Sequence, residues 1–174
     1  MIIGGIDPGS NGCISLLDTE TKICTYLKIP YRKNKTVDAK MIYAYMPLDE
    51  CSEIYFEEVH GRGGTWGAKQ NHTFGFNVGA ILQALTDYQA LYDHYSYEIF
   101  FVKPKEWQAF AHLGISGDSP KQRSKLGFNK INPEAKIKHD GVIDAFHIAR
   151  FGVINAYSSN DSVTSNYAFI DASK

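Results

Sequence analysis

The opening residues, 1–29, leave few options for how this chain can fold. Ile2–Ile6 is an apolar run carrying two glycines, Cys13–Leu17 is mostly apolar, and Lys22–Ile29 alternates loosely. Turn chemistry separates them: Pro8-Gly9-Ser10-Asn11-Gly12 first, then Asp18-Thr19-Glu20-Thr21. Connections this short join antiparallel neighbours, because a parallel pair needs a crossover of about a dozen residues or more. The segment is therefore expected to form a three-strand antiparallel meander, which commits the protein to a sheet from its first residue.

Beyond residue 29 the periodicity changes. Asp38–Met46 has the look of a short helix with Asp38 as its N-cap. Glu53-Ile54-Tyr55-Phe56-Glu57 reads as a buried strand that ends in acids. A glycine-rich loop, His60–Gly67, precedes a long helix on which Val78, Ile81, Leu82, Leu85, Tyr88 and Tyr92 recur at helical spacing. Glu98–Val102 is a further strand, and Pro104 opens a helix carrying Trp107 and Phe110. Asp118–Gly127 reads as a basic helix and Asp140–Tyr157 as the last one. The order β-β-β-α-β-α-β-α-α predicts an α/β fold: a mixed five-stranded sheet, meander plus parallel strands, flanked by helices. One domain over 1–157 and a Ser/Asn-rich polar tail over 158–174, without an assigned role, account for the chain.

Composition narrows the class. The 174 residues suffice for one domain with a real core, and 44% apolar with 21% charged residues argues for a globular fold. No apolar run is long enough to span a bilayer, and an acid at position 7 with no basic lead-in argues against a signal peptide. The three cysteines, Cys13, Cys24 and Cys51, make neither a disulfide framework nor a metal knuckle. Reduced thiols in a cytoplasmic protein are the expectation. The net charge of −1 excludes a uniformly basic nucleic-acid-coating protein.

Three places put carboxylates where chemistry can use them. Asp7 ends the first strand, Glu57 and Glu58 end the fourth, and Asp140 and Asp144 share one face of the last helix. Each also has an ordinary reading as a turn opener, a strand end or a helix-start acid. Asp144, however, leads into the apolar run Ala145–Ala149, whose inward face should pack on the sheet. A buried carboxylate is costly unless paired or bound to a cation. Several converging acids suit Mg²⁺ or Mn²⁺, and two such ions can activate water against a phosphodiester.

In their order, these segments resemble the RuvC-type Holliday junction resolvases of the ribonuclease H-like superfamily, in particular the short bacteriophage members. The resemblance rests on Ile3–Gly12, on Tyr55-Phe56-Glu57-Glu58-Val59 and on Lys138–Ala149, with Phe101–Trp107 similar to the segment after the fifth strand in phage members. It implies a ribonuclease H-like fold over about residues 1–153. It also implies metal ligation and catalysis by Asp7, Glu57, Asp140 and Asp144, with two Mg²⁺ ions for which Mn²⁺ can substitute. Glu57 matches the family acid better than Glu58, which stays open because strand alternation turns only one of the pair inward. The four-residue spacing of Asp140 and Asp144 is similar to phage members rather than cellular ones. The lysine that cellular members carry after the fifth strand falls on Gln108, with Lys105 beside it, and Lys121 matches a second family lysine. The implied activity is cleavage of four-way or other branched DNA to leave a 5′-phosphate and a ligatable nick, by a homodimer. The Gly75/Gly79 face of the long helix is the candidate dimer contact, with packing on its own sheet as the alternative.

From Val102 to His139, eight basic residues stand against three acids, a local +5. Lys103, Lys105, Lys121, Arg123 and Lys125 are the phosphate-binding candidates in this stretch. In the glycine-rich loop, Arg62 and Lys69 flank Trp66, a set suited to stacking on an unpaired base. His147, one turn after Asp144, reads as a satisfied core partner. Other readings are a nucleotide-binding domain, for which the chain is too short, a non-catalytic junction binder, and a nuclease of different specificity on the same fold. If the four acids hold metal, the remainder carries −1 + 4 = +3, so the near-neutral sum fits an acidic pocket beside a basic surface.

Overall fold

The computed structural model describes residues 1–59, 67–91, 96–156 and 167–174. The meander forms as expected: β1 (Ile2–Asp7), β2 (Cys13–Asp18) and β3 (Ile23–Lys28) pair antiparallel. α1 (Ala39–Tyr45) and a single 3-10 turn lead into β4 (Cys51–Glu57), which pairs parallel with β1. α2 (Ala68–Leu91) leads to β5 (Glu98–Val102), parallel to β4 at the sheet's edge. α3 (Pro104–Ala111), α4 (Pro120–Ile131) and α5 (Asp140–Ala156) follow.

The sheet has six strands in the order β5-β4-β1-β2-β3-β6, one more than the sequence suggests. The extra strand, β6 (Ala168–Asp171), comes from the segment read as a polar tail and runs parallel to β3. Its support is tertiary. Phe169 packs on Phe128 and Phe146, and the backbone N–H of buried Tyr167 donates to Asn132 Oδ1 at 2.8 Å.

Helix starts also differ in detail. Asp38 precedes α1 without capping it; its carboxylate accepts from Arg32 at 3.3 Å. α4 begins two residues after Asp118 and is capped by Ser119, whose hydroxyl accepts from the Gln122 N–H at 3.2 Å.

Strand alternation divides the core between the two faces. Ile6, Ile14, Leu16, Ile54 and Phe56 pack with Ile42, Ile81 and Leu85 of α1 and α2. Ile3, Leu17, Cys24 and Tyr55 face α3, α4 and α5, meeting Trp107, Phe128, Phe146 and Ile148. β1 and α5 approach most closely at Gly5, where a Cβ would overlap the backbone of Ala145 and Ala149. No helix among the described residues is long and apolar enough to cross a membrane.

Candidate active site

The alternation that seats Ile3 and Gly5 against α5 gives the same orientation to Asp7, two residues further along β1. On β4, Tyr55 faces α5 and Phe56 the opposite layer, so Glu57 returns to the α5 side. Glu57 is buried and Glu58 follows the strand's end, its N–H donating to Val102 O at 2.7 Å. Asp144 projects from the first turns of α5 at the same end of the sheet, close enough to feel the charge on Asp7. The start of α5 is held there by Gly141, which sits so close to the Asn11-Gly12 backbone of the β1–β2 turn that a Cβ would overlap it.

These three carboxylates act on one another. Desolvation raises the Asp7 pKa, against a hydrogen bond at 2.8 Å from the Gly9 N–H to its Oδ1. Burial, then the charge on Asp7, pushes Glu57 up to about 7, with Asp144 adding to the shift. Burial and then Asp7 also push Asp144 up to about 7. Such mutual repulsion is relieved by proton or cation, and an all-carboxylate set suits hard divalent ions. No three potential ligands among the described residues already converge on a single point, so an ion would have to draw the carboxylates together.

Asp140 differs from the other three. It lies at the N-terminus of α5, and both of its oxygens are engaged by lysines of α4: Lys121 Nζ at Oδ2, and Lys125 Nζ at Oδ1 at 2.7 Å. The two cations hold its pKa below the usual carboxylate value. α4 thus brings two of the sequence's phosphate-binding candidates directly to the acid cluster.

A supporting layer behind the carboxylates was not read from the sequence. The Trp107 indole N–H donates to Glu57 Oε1 at 2.9 Å, with the ring 2% exposed. Ser124, on the buried face of α4, hydrogen-bonds the Asp144 carboxyl and lies 3.0 Å from His112 Nε2. With the hydroxyl donating to Asp144, its oxygen accepts from His112 Nε2–H. His147 is fully buried, 2.9 Å from Ser124 O through Nε2 and stacked near-parallel on Trp107 at 6.5 Å. It is the core partner expected of it, and burial lowers its pKa to about 3, so it stays neutral. Spacing alone could have flagged Trp107, one of two aromatics, with Phe110, that the helix after β5 turns toward the core, and the one that is fully buried.

The remaining candidates are distributed unevenly. Lys103 and Lys105 are exposed at the start of α3. Arg123 donates to Gly117 O at 3.0 Å and pins the loop before α4. Lys69 is exposed in the first turn of α2, whereas Arg62 and Trp66 lie outside the described residues. Lys28, Lys136 and Lys138 line a basic cleft of about 410 Å³ next to the start of α5.

No family model and no curated protein sequence matches the chain. Solved structures do. The Thermus thermophilus RuvC structure superposes with TM-score 0.59 at 19% identity, covering 90% of this chain and 95% of that one. T. thermophilus RuvC in complex with Holliday junction substrate gives TM-score 0.54 at 15% identity over the same shares. The chain therefore has the RuvC-like, ribonuclease H-like fold, a mixed sheet flanked by helices.

Proposed function

We propose that this protein is a metal-dependent endodeoxyribonuclease that cleaves Holliday junctions or other branched DNA. The observation that carries this reading is the set of three mutually repelling carboxylates, Asp7, Glu57 and Asp144, gathered at one end of the sheet beside the basic helix α4. The fold shared with RuvC, one structure of which holds a Holliday junction substrate, supports the choice of DNA.

Asp7, Glu57 and Asp144 would hold Mg²⁺ or Mn²⁺, with Asp140 joining when its lysines move to phosphate. The metal, when bound, supplies Lewis-acid activation of water and of the leaving oxygen. The chain's own residues do the rest. Lys121 and Lys125 are placed to exchange a carboxylate for a DNA phosphate, which binds the strand and frees Asp140 in one event. Trp107 and Ser124 each hydrogen-bond one carboxylate, Glu57 and Asp144 respectively, and orient it within the cluster. The bacteriophage affinity remains part of this proposal, resting on the four-residue spacing of Asp140 and Asp144. A homodimer belongs to it as well, because two sites related by a two-fold axis can make paired cuts in a two-fold-like junction.

Incubation with synthetic four-way, three-way and linear DNA in Mg²⁺ tests the reading. Wild type should nick the branched substrates, and Asp7→Asn and Asp144→Asn should bind them while cutting at least a hundredfold more slowly, on the order of other metal-ligand losses. Normal cutting by those variants would remove the site assignment. Cleavage restricted to RNA–DNA hybrids would remove the resolvase reading and leave the fold intact.

A further inference from the structure

The carboxylates occupy the middle of a register row that crosses the end of the sheet. Asp7 pairs with Cys13 of β2, and Cys13 pairs with Lys28 of β3, so the three side chains leave the same face. Glu57 lies on the other side of Asp7, one residue past the Ile6–Phe56 pair. It pairs in turn with Val102 of β5, which Lys103 follows. Across the sheet end the charges therefore run basic, acidic, basic: Lys103, then Glu57 and Asp7, then Lys28.

The β3 end of this row opens into the basic cleft of about 410 Å³. Lys136 and Lys138 join Lys28 there, over a floor of Tyr26, Ile137 and Val142. In the extended segment before α5, Ile137 turns inward against the clusters of Phe146 and of Val142, which leaves Lys136 and Lys138 exposed on either side of it. Lys28 is held by its pairing with β2 and by the Ile29 N–H, which donates to Gly12 O at 3.0 Å. Lys121 and Lys125 are paired with Asp140, whereas Lys28, Lys136 and Lys138 make no ion pair among the described residues. Asp171, opposite Tyr26 on β6, does not line the cleft; its carboxylate accepts from the Ser173 N–H and hydroxyl. Three lysines gathered with no carboxylate among them attract a polyanion.

We propose that Lys28, Lys136 and Lys138 grip phosphates of the DNA strand being cut, to one side of the scissile phosphate. The inference rests on the function proposed above and assigns that strand its path across the protein. A strand laid along the row meets Lys103 on one side of the carboxylates and the cleft on the other. Four strand spacings separate the ends of this track, about 19 Å, which is the rise of about six nucleotides at ~3.4 Å each. Lys28 stands two spacings from Asp7, about 10 Å, so the gripped phosphates lie within about three nucleotides of the cut. Phosphate contacts carry no base information, so the grip serves any sequence and sets the register of the strand over the carboxylates.

Fluorescence anisotropy with divalent ions chelated tests this, on four-way junctions in which single phosphates through the crossover are replaced one at a time by neutral methylphosphonate. Lys28→Gln, Lys136→Gln and Lys138→Gln should each reduce the slope of log affinity against log salt by about one. Lys40→Gln, on the α1 layer, should leave the slope unchanged. Wild type should bind about fivefold more weakly when a gripped phosphate is neutralised. The variant lacking the matching lysine should lose nothing further on that DNA. Losses that add at every position, an unchanged salt slope, or an equal fall for Lys40→Gln would overturn the cleft. A wild type that binds linear single strands as well as junctions overturns the junction reading, and the same scan on the single strand then decides the cleft by itself. A wild type that binds no DNA overturns both.

Discussion

Trp107 contributes to the site through one atom. Its indole N–H is the hydrogen bond that leaves Glu57 with one oxygen held and the other available. Trp107→Phe keeps an aromatic ring against His147 and removes the donor together with the pyrrole half of the indole. It should weaken divalent-ion affinity about tenfold while costing roughly 1–2 kcal/mol of stability, measured by calorimetric Mn²⁺ titration and by denaturant unfolding. Unchanged ion affinity would make Trp107 a packing residue alone. The carboxylates themselves predict a pH dependence. Glu57 and Asp144 titrate near 7 in the fold against ordinary values of 4.5 and 3.8, so the folded state holds more protons between about pH 4 and 7. Their contribution is then most favourable below about pH 4 and is lost as pH rises through 7. In chelator, the melting temperature should fall across that window. Mg²⁺ should restore it above pH 7 and have little effect at pH 5, and Asp144→Asn should flatten the slope. A melting temperature independent of pH in chelator would contradict the desolvated cluster.

At the scale of elements, α5 and α2 use glycine in opposite ways. On α5, Gly141 and Gly152 let the helix lie directly on the β1–β2 turn and on Tyr55, which fixes Asp144 opposite Asp7. On α2, Gly75 and Gly79 meet nothing within 4 Å among the described residues, and neighbouring Phe76 is 55% exposed. The helical repeat makes both helices legible in the sequence, yet it does not say which glycine face is covered. Packing on the chain's own sheet is the alternative the structure disfavours, which leaves this face for the proposed second copy. Phe76→Glu should therefore convert a dimer to a monomer in sedimentation velocity and replace paired cuts with single nicks. A wild type that sediments as a monomer at micromolar concentration would remove this role.

The described residues form a three-layer sandwich in which the carboxylate end depends on the sheet and the sheet's far edge depends on the C-terminal segment. β6 covers β3, and Tyr167 and Phe169 close the cluster of Leu17, Cys24, Phe128 and Phe146 beneath α5. Deleting residues 158–174 should lower stability by about 3 kcal/mol or more, read as a shifted denaturant midpoint, because aromatic core contacts are lost and an edge is bared. An unshifted midpoint would show that the strand adds nothing to the fold. What the sequence determined by itself was most of what short-range rules set, the caps of α1 and α4 excepted. The meander follows from turn spacing, the helices from period, and the acids that end β1, β4 and begin α5 from simple position. Tertiary structure decided what depends on residues distant in the chain. It turned Glu57 toward α5, placed Trp107 and Ser124 behind the carboxylates and laid Lys121 and Lys125 on Asp140. It also gave a four-residue strand, too short to announce itself after a polar stretch, the neighbours that make it one. Local propensity acts within a few residues, whereas burial, charge pairing and strand alliance are settled only when the layers close.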